Sequence, residues 1–472
     1  MRRTSLFVAV LAVGLVVSGI VSAELYNRAP DVLPWIQPEM LTVGFWIDRM
    51  DNPDEVVMTV DEIKAMNERF EERIHRSEPF ADLPEELKPD LSYWWPGHVL
   101  VMPDFSAMSP TAIADTVRSC ITVESDYLRE KPFGNALAVE YADWELDRFE
   151  KEMNFDGVPD RVTPQFGLAV RTGRLRNIPA FFAMYPGVRE NAKTRWDLWT
   201  ITILKIATPV TILHQSESGE YLFVATDEAY GWARSEDIAF GTSDQIEEFA
   251  NPQDFYICTG DRVQFYSDVN CLYSSGLFRM GDRLPMVSIF NRNQVKVPIR
   301  TTAGRLTSET AYLRPDDNVH RGLLPFTRRN VVETAFKLLG NPYDWTGSWL
   351  GRQHETTYRD IFAVFGFKLP WHGALFTVYG GSNEVMKPEI GKEEQYRILN
   401  SHEPFLTLQS VGGHAQLYLG EYNGAPIVFD QHGYGYEADD GKYMEIRRTN
   451  IGDVRLPSYF LTRPVTFLKF IR

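Results

Sequence analysis

Leu339-Gly340-Asn341-Pro342-Tyr343-Asp344-Trp345-Thr346-Gly347 is the stretch on which the architecture of this chain turns. It follows a helix that Thr327 caps and that carries Val331, Ala335, Phe336 and Leu339 until Gly340 stops it. Beyond it, Tyr358, Ile361, Phe362 and Phe365 mark a second helix, stopped by Gly366. Two strands come next, Ala415 to Leu419 and Pro426 to Phe429, with Asn423-Gly424 as the hairpin turn between them. The region from Phe460 to Ile471 supplies further strand or helix. Helices followed by paired strands predict an α+β domain over residues 319–472.

Upstream the texture changes to short apolar runs broken by turns. Phe166 to Val170, Pro209 to His214 and Tyr221 to Ala225 read as strands, with Glu217-Ser218-Gly219 as a turn. Gly231-Trp232-Ala233 begins another and leads into Ser235-Glu236-Asp237. Short strands at this spacing predict a small barrel. Ile257 to about Tyr312 repeats the texture, with turn-flanked strand signals at Arg279-Met280-Gly281 and Leu284-Pro285-Met286. The segment from Glu24 to about Asp160 mixes helical and irregular patterns. Thr59 and Glu62 have capping-box spacing ahead of Ile63, Met66, Phe70 and Ile74. Met108 to Ile121 is a second helix, with Ser109 before Pro110 as its cap.

The first 23 residues read as a secretory signal. Arg2 and Arg3 precede the apolar run Leu6 to Ile20, and Val21-Ser22-Ala23 places small residues before a cut at Glu24. The run is short for a bilayer span, so cleavage without a stable membrane anchor is expected, and with it a periplasmic or secreted location. The net charge of −16 becomes −18 once Arg2 and Arg3 are removed, which opposes nucleic-acid or acidic-membrane binding. The three cysteines, Cys120, Cys258 and Cys271, lie in no recognisable catalytic setting; Cys258 and Cys271 are either a disulfide or buried thiols.

The Leu339–Gly347 stretch resembles the L-G-x-P-Y-x-W-G-G opening of the NlpC-type cell-wall cysteine peptidases, γ-D-glutamyl-L-diamino-acid endopeptidases. Gly413-His414-Ala415-Gln416-Leu417-Tyr418-Leu419-Gly420 is similar to that family's G-H-x-x-L-Y-x-G strand. The Gly-Trp-Ala segment and the Arg-Met-Gly turn resemble two bacterial SH3-like domains of one branch, and Asp54 to Phe70 its helical N-terminal domain. The resemblance implies a multi-domain chain: signal peptide 1–23, helical region 24–160, SH3-like barrels 161–245 and 246–318, and a papain-like α+β domain 319–472. It also implies a thiolate nucleophile in R-D-C-S, a histidine base and a third polar residue.

A gapless count from Leu339 places R-D-C-S on Arg352-Gln353-His354-Glu355, so His354 stands at the nucleophile position and His414 at that of the base. Asp430 takes the third position, or Gln431 if the turn slips by one; Thr346 replaces a glycine. An imidazole cannot form a thioester, and losing the nucleophile of a coupled triad costs on the order of 10⁶ in rate, about 8 kcal/mol. A pseudopeptidase is therefore expected, binding peptidoglycan stem peptides or another cell-wall component through Gln353, Glu355, Tyr343 and Trp345, with an active homologue as a further candidate partner and no organic cofactor. One alternative is retained hydrolysis, by Thr356 or Thr357, or by a metal held by His354, His414 and Asp430. Another is a scaffold acting through its SH3-like domains, with Trp196, Trp199, Tyr221, Trp232, Tyr343 and Trp345 lining a groove.

Overall fold

The computed structural model describes residues 28–470, apart from 90–96, 131, 136–138, 187–196, 291–292, 316–317, 348, 383 and 457–459. The signal segment and Trp196 lie outside the described residues. The C-terminal part is a six-stranded antiparallel sheet. Its order is Val385–Met386, Val465–Lys469, Thr407–Val411, His414–Tyr422, Ala425–His432 and Arg448–Asp453. Both ends of the strand His414–Tyr422 are set by two-residue turns in the left-handed region: Gly412 and Gly413 (φ 53° and 95°), then Asn423 and Gly424 (φ 51° and 79°). Such turns fix register, so His414 becomes the first residue of its strand.

Two helices, Arg328–Phe336 and His354–Ala363, cover this sheet. Thr327 Oγ1 caps the first by accepting the Asn330 N–H at 3.1 Å. Val331, Ala335, Tyr358, Ile361, Phe362 and Phe365 meet Leu408, Ala415, Leu417, Ile427 and Phe429 in one core. Tyr358 is fully buried between two strands, where its hydroxyl donates to the Phe429 carbonyl at 2.7 Å and accepts the Leu417 N–H at 3.2 Å.

The helices between residues 28 and 160 have no core of their own. Residues 29–70 join the C-terminal core through Ala29, Leu33, Met58, Ile63, Met66 and Phe70. Val56–Met58 pairs with Phe326–Thr327. The capping box on Val60–Ile74 is formed, with Thr59 N–H donating to Glu62 at 2.8 Å. Asn67 donates to the Gly366 carbonyl at 3.0 Å, and Ala29 N–H to Glu445 O at 2.8 Å. By contrast, Ile113, Val117, Ile121 and Leu128 of Pro110–Glu130 pack on Trp199, Phe223 and Trp232. That helix outruns its expected end at Ile121, because Glu124, Tyr127 and Leu128 continue the buried stripe and no proline intervenes before Pro132.

Residues 165–240 form a seven-stranded antiparallel sheet, from Ile238–Phe240 through Gln165–Ala169, Pro209–Gln215, Tyr221–Ala225, Tyr230–Arg234 and Gly173–Arg176 to Thr200–Leu204. Alternation divides its side chains: Leu222 and Val224 fill the interior with Ile201, Val210 and Ile212, while Tyr221, Phe223 and Ala225 face the helices. A second β unit, residues 255–321, holds a four-stranded and a three-stranded sheet around Val263, Phe278, Leu284, Val295 and Val297. No helix of the described residues is long and apolar enough to cross a membrane.

Candidate functional site

Three turns build the start of the helix His354–Ala363. Asp344 is buried and its Oδ2 accepts the N–H groups of Trp349 (2.8 Å) and Gly351 (2.6 Å), which closes the loop before Arg352. Thr346 adopts φ 51°, a left-handed conformation in which a glycine would be unstrained, and its N–H donates to Gln353 Oε1 at 3.1 Å. Gln353 is the N-cap residue; its N–H donates to Thr356 Oγ1 at 2.9 Å and its carbonyl accepts from Thr357 Oγ1 at 2.8 Å. Both threonine hydroxyls are thereby committed to the backbone. Gln353 serves the fold by these bonds.

His354 and His414 lie ring against ring, with centroids 4.6 Å apart and planes tilted by 37°. The Tyr343 ring lies 6.4 Å from that of His354 with planes 21° apart, and Trp345 is half-buried in the adjoining turn. Each imidazole has its own carboxylate: His354 Nε2 lies 2.9 Å from Glu355 Oε1, and His414 Nε2 2.9 Å from Asp430 Oδ1. The remaining nitrogen of His354, Nδ1, is buried and makes no hydrogen bond, and neither does Glu355 Oε2. Burial would raise the Glu355 pKa, but His354 and His372 hold it below the usual carboxylate range. Burial would lower that of His414, yet Asp430 and Glu355 raise it. Asp430, buried but beside His414, is held at about 2.

The strand Ala425–His432 sends alternate residues to opposite faces. Asp430 faces His414, and its second oxygen accepts from Gln416 Nε2 at 2.9 Å. Gln431 points the other way, donating to the Arg352 carbonyl at 3.3 Å and accepting from Thr449. His432 shares the Asp430 face, with Nδ1 3.5 Å from Asp430 Oδ2. Burial pushes its pKa down to about 4, so the ring is neutral at pH 7. His432 and Gln416 escaped the sequence reading. The signal was present, since Asp430-x-His432 and His414-x-Gln416 put each pair on one strand face. The metal set weighed as an alternative, His354 with His414 and Asp430, differs from the group that converges among the described residues: His354 Nε2 turns to Glu355, and His414, Asp430 and His432 bring one ligand atom each within 4.8 Å of one another.

A buried charge cluster holds the helix against both β units. Asp360 meets Arg352 Nε (2.7 Å), Lys205 Nζ (2.5 Å) and Arg279 (3.6 Å); Arg352 also reaches Asp261, and Lys205 lies 3.4 Å from Asp282. Arg359 pairs with Glu228 at 2.6 Å. Ile203 of the first β unit packs on Gly347, where an added Cβ would come within 2.3 Å of its side chain. Trp345 and His354 thus adjoin a packed contact between the first β unit and the C-terminal domain. Of the described aromatic residues weighed as a groove lining, Trp199 and Trp232 are fully buried and Tyr221 joins their core beneath the helix Pro110–Glu130, while Tyr343 and Trp345 are half-buried. The cysteines lie elsewhere. Cys120 is in that helix, Cys258 donates to the Gly260 and Phe278 carbonyls inside the second β unit, and Cys271 occupies a turn there; no disulfide joins them.

Residues 185–234 match the family model of an SH3 domain (SH3b1 type). Over most of its length the chain superposes on an NlpC/P60 endopeptidase from Photobacterium damselae subsp. piscicida, at TM-score 0.66 and 16% identity, covering 89% of this chain and 96% of that one. An NlpC/P60 family protein from Bacillus cereus ATCC 10987 follows at TM-score 0.42 and 14% identity, over 65% and 100% of the two chains. NlpC2 from Trichomonas vaginalis follows at 0.23 and 12%, over 65% and 98%. No curated protein matches the chain. The chain thus has an NlpC/P60-type fold with an SH3-like domain.

Proposed function

We propose that this chain, an NlpC/P60-type fold with an imidazole at the nucleophile's place, is an exported cell-wall protein that binds peptidoglycan stem peptides without cutting them. The observation that carries the reading is the His354 ring itself. Its Nε2 is engaged with Glu355 and its Nδ1 is buried, so neither nitrogen of that ring is open to an incoming carbonyl. The neighbouring threonines are committed to the backbone, and no cysteine lies in this part of the chain. Acyl transfer by the parent route therefore lacks its attacking atom.

Binding keeps its means. Glu355 is ionised and has one oxygen without a partner; that oxygen is as buried as His354 Nδ1, so the free amine of a stem peptide reaches it only as the pocket opens on binding. Tyr343 and Trp345 supply apolar walls beside it. The second β unit is read as a second SH3-like domain, and residues 1–23 as a cleaved signal that delivers the chain to the periplasm or outside.

Calorimetric titration of the mature protein with an L-Ala-γ-D-Glu-diamino-acid peptide tests this. Saturable binding, lost on acetylation of the peptide amine and in Glu355→Gln, is expected, with no cleavage on prolonged incubation. Turnover by the wild-type protein would overturn the reading. Cleavage appearing only in His354→Cys would show that the rest of the pocket survives.

A further inference from the structure

We infer that His414, Asp430 and His432 form a binding site for a divalent transition metal of the zinc class. Two imidazoles and one carboxylate are a ligand set that zinc and its neighbours accept. His414 Nε2 is 2.9 Å from Asp430 Oδ1, and His432 Nδ1 is 3.5 Å from Asp430 Oδ2. All three ligand atoms lie within 4.8 Å of one another. Ligands about 2.0–2.2 Å from a tetrahedral ion stand roughly 3.3 Å apart, so small side-chain rotations suffice.

The second, independent observation is His432. It is 1% exposed, and neither ring nitrogen makes a hydrogen bond. A buried polar group left this way is destabilising, and a metal at Nδ1 would satisfy it. The Gly435 backbone lies near enough to act on the ring, though it makes no hydrogen bond of ordinary geometry with either nitrogen. Gln416 already orients the Asp430 carboxylate from outside the triangle at 2.9 Å. The pieces sit on rigid elements: His414 is pinned by the Gly412-Gly413 turn, and the other two are alternate residues of one ladder strand.

This inference stands apart from stem-peptide binding, which rests on Glu355 and not on His432. The full mature chain, stripped with chelator, is titrated with zinc and with cobalt(II). One equivalent should bind, with the intense visible bands of low-coordinate cobalt and a raised melting temperature. His432→Gln should weaken affinity by more than about 100-fold, whereas Glu355→Gln should leave it within about threefold. Where His432→Gln does not fold, X-ray absorption of the zinc-loaded wild type decides: two imidazoles in the first shell are expected. A six-oxygen shell, substoichiometric uptake, or unchanged affinity in folded His432→Gln would overturn the site.

Discussion

Asp360→Asn removes one carboxylate from a cluster in which Lys205, Arg279 and Arg352 are balanced by Asp261, Asp282 and Asp360. Three cations would then face two anions. Arg279 and Arg352 are 3% and 2% exposed and cannot reach water, whereas Lys205, at 31%, can swing outward. Breaking a buried pair by deleting one partner costs about 3–5 kcal/mol, and the escape of Lys205 places this case near the lower end, about 3 kcal/mol. Urea unfolding, followed by tryptophan fluorescence, measures the loss. A double-mutant cycle with Arg352→Met separates the pair from its surroundings, because the two side chains share one hydrogen bond at 2.7 Å. The double variant should cost at least about 1 kcal/mol less than the two singles together. A single-variant loss under about 1 kcal/mol, or strict additivity, would refute the claim that this cluster anchors the helix bearing His354.

The same carboxylate sets an acid limit. Burial would raise its pKa, but Lys205, Arg352 and Arg279 hold it far below the ordinary carboxylate range. Its contribution is therefore complete above about pH 4 and is lost as pH falls toward the depressed value, so melting temperatures measured down to about pH 3 should fall less steeply in Asp360→Asn than in wild type. Tyr358→Phe deletes the hydroxyl that joins the Leu417 N–H to the Phe429 carbonyl and should cost about 1–3 kcal/mol in urea unfolding; an unchanged midpoint would show that the strands bond directly without it. Gly373→Ala would set its Cβ 1.8 Å from the Gly413 carbonyl oxygen, next to His414, and should destabilise by about 1–3 kcal/mol in thermal denaturation; a neutral effect would mean that this turn yields freely.

What was legible in the sequence follows the range of the interaction. The Thr59–Glu62 box, the Thr327 cap and the Asn423-Gly424 turn are contacts within four residues, and each is formed as its local chemistry demands. The pairing of His354 with His414 was legible only through resemblance, since nothing local joins positions 60 residues apart. Two things stayed hidden. The Asp360 cluster draws residues from three parts of the chain and has no period to betray it. The division of residues 28–160 between two cores depends on which apolar stripe meets which sheet; both stripes look alike in composition. The role of His432 could have been read from its alternation with Asp430, but a single histidine on an apolar strand is an ordinary core residue until its orphaned nitrogens are seen.

The C-terminal sheet borrows its outer layer from the chain's first hundred residues, and Asn67 meets Gly366 across 299 positions. At about 5–20 residues per second of synthesis, Met58, Ile63, Met66 and Phe70 wait roughly 15–60 s for the surface that will cover them. Both β units must be made in the interval and behave, topologically, as an insert within a discontinuous domain. High contact order of this kind slows folding and leaves a sticky amphipathic helix in the open, a natural target for a holding chaperone.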